Sequence, residues 1–267
     1  MDDPRFFEPA DALIAVPGPS DDKYSRGVLG VITGSEQYPG AAVLGVEAAL
    51  RTGVGMLRYI GHPRAADLVL ARRPEAVVGM GRVQAWLIGS GSDHAGYASD
   101  EAETAIAQGV PVVLDAGALA LHERATGPLV VTPHAGELAR VLGVDRAEIT
   151  ADPAGWALRA HEKLGATVLL KGHTTHVVGP GLRLAVRSAP AWLATAGAGD
   201  ALGGILGALA ATHAGEITAD ETVLPRLAAT ASLIHGLAAE RASAGGPLTI
   251  LDLCAEVPAT IAGLLRD

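Results

Sequence analysis

The sequence predicts an α/β fold, with a central mostly parallel sheet and helices on both faces, and three observations carry that prediction. Between residues 28 and 142, short apolar runs alternate with stretches whose apolar residues recur at helical spacing. The runs are continuously apolar rather than alternating, as strands covered on both faces must be. Finally, 49% of residues are hydrophobic but only 3% aromatic, and 34 are glycine. The core is therefore built from Ala, Val, Leu and Ile, with backbones that approach closely.

Residues 1–26, rich in Pro and Gly, read as an N-terminal arm with one short helix over 11–16, and no chemistry is assigned to them. Residues 28–33 form the first strand, followed by the loop Gly34-Ser35-Glu36-Gln37-Tyr38-Pro39-Gly40. Val43, Val46 and Leu50 then repeat at helical spacing until Gly53 stops the helix. Strands follow at 56–60 and 85–88, the latter ending in Gly89-Ser90-Gly91-Ser92-Asp93. That loop lacks the third glycine of a dinucleotide fingerprint. A helix at 102–108, a strand at 110–114 ending at Asp115, and a short helix at 118–123 come next. A strand at 129–132 runs into Pro133-His134-Ala135-Gly136-Glu137, and the chain is helical through Leu142. Beyond it lie a helix at 156–164 and a strand at 167–170 that ends in Lys171-Gly172-His173-Thr174-Thr175. Residues 177–178 and 182–186, flanking Gly179-Pro180-Gly181, form a small antiparallel hairpin at the sheet edge. Ala-rich helices at 221–243 and 251–265 close the fold, and with no linker in the pattern, 1–267 reads as a single domain.

A net charge of −9 argues against nucleic-acid or anionic-membrane partners. No apolar run approaches the roughly 20 residues needed to span a bilayer, and Met1-Asp2-Asp3-Pro4 lacks the pattern of a secretory signal, so a cytoplasmic location is expected. The single cysteine, Cys254, excludes an internal disulfide and reads as a core or subunit-contact residue. His173 and His176 have no further ligand candidates, which rejects a structural zinc site.

The stretch from Ala194 to Gly204 organises the chain. Small residues lead to one carboxylate, Asp200, at the start of a helix whose Leu202, Ile205, Leu206 and Leu209 mark a buried face. Gly197 and Gly199 suit an anion cradle at the positive end of that helix. Asp200 is either a helix cap or a group facing a ligand. Five loops, those holding Gly34, Gly89, Thr132, Lys171 and Gly197, would emerge at the carboxyl ends of strands, where open α/β sheets bind ligands. Lys171 could neutralise phosphate, with Thr174 and Thr175 bonding to phosphate or ribose. His134 could position an anionic or hydroxyl-bearing substrate. Glu137 fits a metal- or phosphate-linked role and a helix first turn equally, and Asp115 could cap the helix after it, the more ordinary role, or face the site.

With these residues in hand, the sequence resembles the ADP-dependent NAD(P)H-hydrate dehydratase family of the ribokinase-like superfamily. The matching pieces are Gly30-Val31-Ile32-Thr33-Gly34-Ser35 with Tyr38-Pro39-Gly40-Ala41-Ala42, then Val112-Val113-Leu114-Asp115-Ala116, then Thr132-Pro133-His134-Ala135-Gly136-Glu137. Leu169-Leu170-Lys171-Gly172-His173-Thr174-Thr175 and Ala194-Thr195-Ala196-Gly197-Ala198-Gly199-Asp200 follow in the family's order. The chain departs from the family pattern at Gly117, Ala120, Ala196 and Ala198. The resemblance implies a ribokinase-like fold and repair of NADH or NADPH hydrated across the nicotinamide 5,6 double bond, in the S epimer. ADP would phosphorylate the C6 hydroxyl, and elimination of phosphate would return NAD(P)H, with AMP as the other product. It makes Asp200 the base. Lys171, Gly172, His173, Thr174, Thr175 and Gly199 become nucleotide-binding, and Ala41, Gly91, His134 and Asp200 substrate-binding. Magnesium is expected with ADP, its protein ligands unknown. A homo-oligomer, with a tetramer as one form of it, and a separate epimerase as functional partner complete the expectation. The alternative is a ribokinase-like kinase of a vitamin precursor.

Overall fold

The structure, a computed structural model, describes residues 3–91 and 100–266; Ser92 and Asp93 of the loop after residue 88 lie outside the described residues. The described strands are β1 (Arg5–Phe6), β2 (Val28–Ile32), β3 (Met56–Tyr59), β4 (Val77–Val78), β5 (Ala85–Ile88), β6 (Val112–Leu114), β7 (Leu129–Val131), β8 (Thr167–Leu170), β9 (Thr175–Gly179) and β10 (Leu182–Val186). They form one sheet in the order β1-β10-β9-β8-β7-β6-β5-β2-β3-β4. Among them only β9 runs against the rest, so the sheet is mostly parallel. The hairpin sits where the sequence put it, with the two-residue β1 laid along its outer strand.

The helices are α1 (Pro39–Thr52), α2 (Pro63–Arg72), α3 (Asp100–Ile106), α4 (Ala135–Leu142), α5 (Arg146–Ala151), α6 (Pro153–Leu164), α7 (Ala198–Thr212), α8 (Ala214–Ala219), α9 (Val223–Ser243) and α10 (Ile250–Leu264). Because side chains alternate along a strand, the sheet feeds two cores. Leu29, Val31, Leu87, Val113, Val130 and Leu169 join one core with α1, α2, α7, α9 and α10. Val28, Ile32, Trp86, Ile88, Leu114 and Val131 join the other with α3, α4, α5 and α6. The paucity of aromatics is met by close backbones: the Trp86 ring lies flat against Gly30, where no β-carbon fits.

On the first face, α1 and α7 cross with almost no side chain between them. A β-carbon on Gly204 would collide with the Gly45 carbonyl and lie 3.0 Å from the Ala48 methyl. At the far side of α1, Glu47 is fully buried and ion-paired with Arg51, Arg72 and Arg73 at 2.6, 3.2 and 2.5 Å. Burial raises its pKa, but the three guanidinium groups win and hold the carboxyl down at about 2. Cys254 is wholly buried in the same core and its thiol is pushed up by burial to about 12, so it is a packing residue.

Several elements differ from expectation. Residues 11–16 are not helical; a 3-10 turn at Pro9–Asp11 is followed by extended chain. There the Leu13 N–H donates to Thr230 Oγ1 on α9 at 3.0 Å, a tertiary bond that outweighs local propensity. The short helix at 118–123 is a 3-10 helix, Ala116–Arg124. α2, β4, α5 and α8 were not anticipated. α5 and α8 have six residues each, β4 has two exposed ones, and α2 leaves Leu68 and Leu70 exposed, so none carries a clear apolar period.

Candidate active site

Strand order reverses at β2: β3 and β4 build outward on one side and β5 to β8 on the other. Loops leaving β2 and β5 part there, opening the crevice in which such sheets hold ligands. The Gly34 N–H donates to the Ser90 carbonyl at 2.7 Å and ties the two loops together. Gly91, at φ +71°, packs on the methyl of Ala41 in the first turn of α1, so a side chain here would block the crevice.

A cavity of about 820 Å³ opens at this end of the sheet, lined by Gly91, His134, Lys171, Gly172, His173, Thr175, Gly199 and Asp200 among others. Those eight were named from sequence. Ala41 and Thr174 were too, but neither lines the cavity: Ala41 sits behind Gly91, and Thr174 Oγ1 accepts a hydrogen bond from Arg187 Nε at 3.1 Å.

Asp200 is the third residue of α7. The N-cap is Gly197, at φ +91°, and no side chain caps the helix, which excludes the capping role for Asp200. A β-carbon on Gly197 would lie 2.6 Å from Leu44 Cδ1, so the left-handed turn and the contact with α1 both demand glycine. Among the described residues, the N–H groups of Gly199 and Asp200 have no acceptor, leaving donors and the positive helix end turned to the cavity. Burial raises the Asp200 pKa to about 6, helped by the negative charge of Asp115 and opposed by Ser90 and Lys171. Ser90 Oγ is buried and makes no full hydrogen bond of its own.

Lys171 follows β8, its N–H donating to the Pro133 carbonyl at 2.8 Å and its backbone bridging to His134. Its Nζ donates to Asp115 Oδ1 at 2.8 Å and lies 3.6 Å from Glu137 Oε2. Burial disfavours the cation, but the neighbouring carboxylates of Asp115 and Glu137 more than compensate and raise its pKa. Asp115 does not cap the 3-10 helix after it. Its Oδ1 instead accepts from Thr132 Oγ1 at 2.7 Å as well as from Lys171, and it lines the cavity.

His134 caps α4. Its Nδ1 accepts from the Gly136 and Glu137 N–H groups at 3.0 and 3.1 Å, and its own N–H donates to Glu137 Oε2 at 2.8 Å. A ring that accepts at Nδ1 carries its proton at Nε2 when neutral, and that nitrogen lies 3.5 Å from Glu137 Oε1 at the cavity wall. Glu137 thus serves both readings the sequence left open: it closes the capping box and faces Lys171.

Sequence reasoning missed the cavity's wall on α9, formed by Ser232 and His235, and its apolar rim at Pro190 and Leu193. The available signal was a polar pair at i, i+3 in an otherwise Ala- and Leu-rich helix.

Residues 29–255 match the profile of a family described as NAD(P)H-hydrate dehydratase. A bifunctional NAD(P)H-hydrate repair enzyme, Nnr, of Mycobacterium tuberculosis is 43% identical over 223 residues, covering 77% of this chain and 46% of that protein. The chain therefore spans about half the length of such relatives. An ADP-dependent (S)-NAD(P)H-hydrate dehydratase of Xanthomonas campestris is 36% identical over 228 residues, covering 76% of this chain and 79% of that one. Among solved structures, the ADP/ATP-dependent NAD(P)H-hydrate dehydratase of Bacillus subtilis, co-crystallised with ATP and Mg2+, superimposes with a TM-score of 0.86. The two are 25% identical, and the match covers 97% of this chain and 98% of that one.

Proposed function

Because the chain belongs to the NAD(P)H-hydrate dehydratase family, we propose that it carries out the ADP-dependent dehydration of the S epimer of hydrated NADH or NADPH. The observation that carries this is Asp200: a carboxyl with its pKa raised to about 6, beside the uncapped N-terminus of α7 and facing a cavity with Lys171. The C6 hydroxyl of the substrate attacks the β-phosphorus of ADP, its proton passes to Asp200, and the bond to AMP breaks. The C6–O bond of the phosphate ester then breaks, phosphate leaving with the electron pair while C5 gives up a proton to water, and the 5,6 double bond re-forms. Lys171 and the free N–H groups of Gly199 and Asp200 take the charge that develops on the transferred phosphoryl oxygens.

Lys171, Gly172, His173, Thr174, Thr175 and Gly199 are assigned to the nucleotide, and Ala41, Gly91 and His134 to the hydrated nicotinamide. The Nε2–H of His134 supplies a donor for a substrate oxygen. Among the described residues no group of three His, Cys, Asp or Glu side chains gathers as a cation cage, and Lys171 already engages Asp115 and Glu137. The donor set therefore suits a magnesium ion borne by phosphate oxygens and water, which such a hard ion tolerates. Bound there, it would neutralise phosphate charge. The bifunctional relatives motivate a separate epimerase as functional partner, and no described helix is long and apolar enough to cross a membrane.

A kinase of the same superfamily would instead leave a stable phosphorylated alcohol, and family membership favours the dehydratase. Incubation with ADP, Mg2+ and hydrated NADH is expected to restore absorbance at the reduced nicotinamide band with stoichiometric AMP. Phosphate esters accumulating without that recovery would support the kinase.

A further inference from the structure

Asp115, Thr132 and Lys171 are each the first residue past its strand, and β6, β7 and β8 lie side by side in the sheet. One carboxylate oxygen joins the three strand ends. Asp115 Oδ1 accepts from Thr132 Oγ1 at 2.7 Å and from Lys171 Nζ at 2.8 Å. Asp115 and Thr132 are buried, whereas 20% of the Lys171 side chain is open. The backbone fixes Asp115 as well. Its N–H donates to the Ile88 carbonyl at 3.0 Å, and its own carbonyl packs on Gly89, where no β-carbon fits. Ala116 after it adopts φ +49°, a left-handed turn that is strained for any residue but glycine.

The open end of this group faces α7. A β-carbon placed on Gly199 would lie 3.5 Å from Lys171 Nζ and 3.9 Å from Asp115 Oδ2, so the ammonium stands over the first turn of that helix. An ammonium has three N–H donors. One goes to Asp115, and Glu137 Oε2, at 3.6 Å, is too far to claim another fully, which leaves a donor for an anion held by the N–H groups of Gly199 and Asp200.

From this we propose that Asp115 is a positioning residue: braced by Thr132, it aims the Lys171 ammonium at the phosphoryl group held at the start of α7. The inference rests on the ADP-dependent reaction proposed above. A lysine stem is flexible, and a head fixed in advance does not lose that freedom as the transition state forms.

The test is steady-state turnover of hydrated NADH with ADP and Mg2+ by the full chain, with calorimetric titration of ADP beside it. Asp115→Asn removes the charge that holds the ammonium. It is expected to lower kcat about tenfold, part of what a lost charge-stabilising donor costs. ADP should bind it as tightly as the native protein or more tightly, because a repelling carboxylate is gone. In a Lys171→Met background the same substitution should cost nothing further, since its effect passes through the ammonium. Thr132→Val removes the brace and keeps the charge; a fall in kcat of about threefold at native ADP affinity is expected, and it decides the question if Asp115→Asn does not fold. Native kcat in the folded variants, a loss of kcat matched by an equal loss of ADP affinity, or additive losses in the double variant would overturn the role. Failure of the native protein to regenerate NADH would instead overturn the reaction it rests on.

Discussion

The surroundings of Asp200 make it hold its proton up to about pH 6, and that has opposite consequences for rate and for stability. In the role of base proposed above it would work only when ionised, so turnover is expected to rise with pH through about 6 and level off above it. Asp200→Asn should bind ADP normally but turn over at least ~100-fold more slowly, without that rising limb; steady-state rates from pH 5 to 8 check both. For stability, a carboxyl with a raised folded pKa is better tolerated protonated. Its ionisation penalty is absent below the unfolded value of 3.8 and complete above about 6. Asp200→Asn should therefore stabilise the fold by about 1–2 kcal/mol at pH 7, after allowance for partial exposure, and give no gain at pH 3.5. Denaturant titrations at the two pH values measure it. Such a gain would mark Asp200 as a residue kept for chemistry at the expense of stability.

At the scale of elements, the position of Asp200 depends on how closely α7 lies on α1. Gly204→Ala would drive a methyl into the Gly45 carbonyl, at an expected cost of about 1–3 kcal/mol from overpacking. A lower thermal midpoint accompanied by reduced kcat at unchanged ADP affinity would show that the contact aims the carboxylate as well as packing the core. The 34 glycines announced closely approaching backbones in the sequence without saying where, and the apolar runs at 28–33, 85–88 and 167–170 announced the two-sided sheet. The loops at their ends were legible because parallel topology sends them all to one edge. What stayed hidden has physical causes. α5 and α8 are too short for a period to register, and residues 11–16 follow a bond to Thr230 more than two hundred positions away. Asp115 read more readily as a cap because nothing local announces a lysine 56 residues downstream. His235 was overlooked because a lone histidine in an apolar helix is ordinarily a core residue.

For the whole molecule, the sheet separates two cores that meet only along its strands, with the cavity at the end of both. Overall charge is −9, yet one end of the cavity carries Lys171 and a positive helix terminus, so affinity for an anion would be a local property. ADP at about 100 times its Kd should stabilise the native state by about 2.7 kcal/mol, raising the thermal midpoint by several degrees, as scanning calorimetry would record. The backbone bridge between His134 and Lys171 joins the two ends of the cavity directly. On the assignments proposed above, one residue of the bridge faces the hydrated nicotinamide and the other the phosphate donor, so a shift of one strand end bears on the other. Any change that ADP makes in the affinity for hydrated nucleotide is returned in equal measure by hydrated nucleotide to ADP, and this pair of adjacent backbone segments offers one route for it.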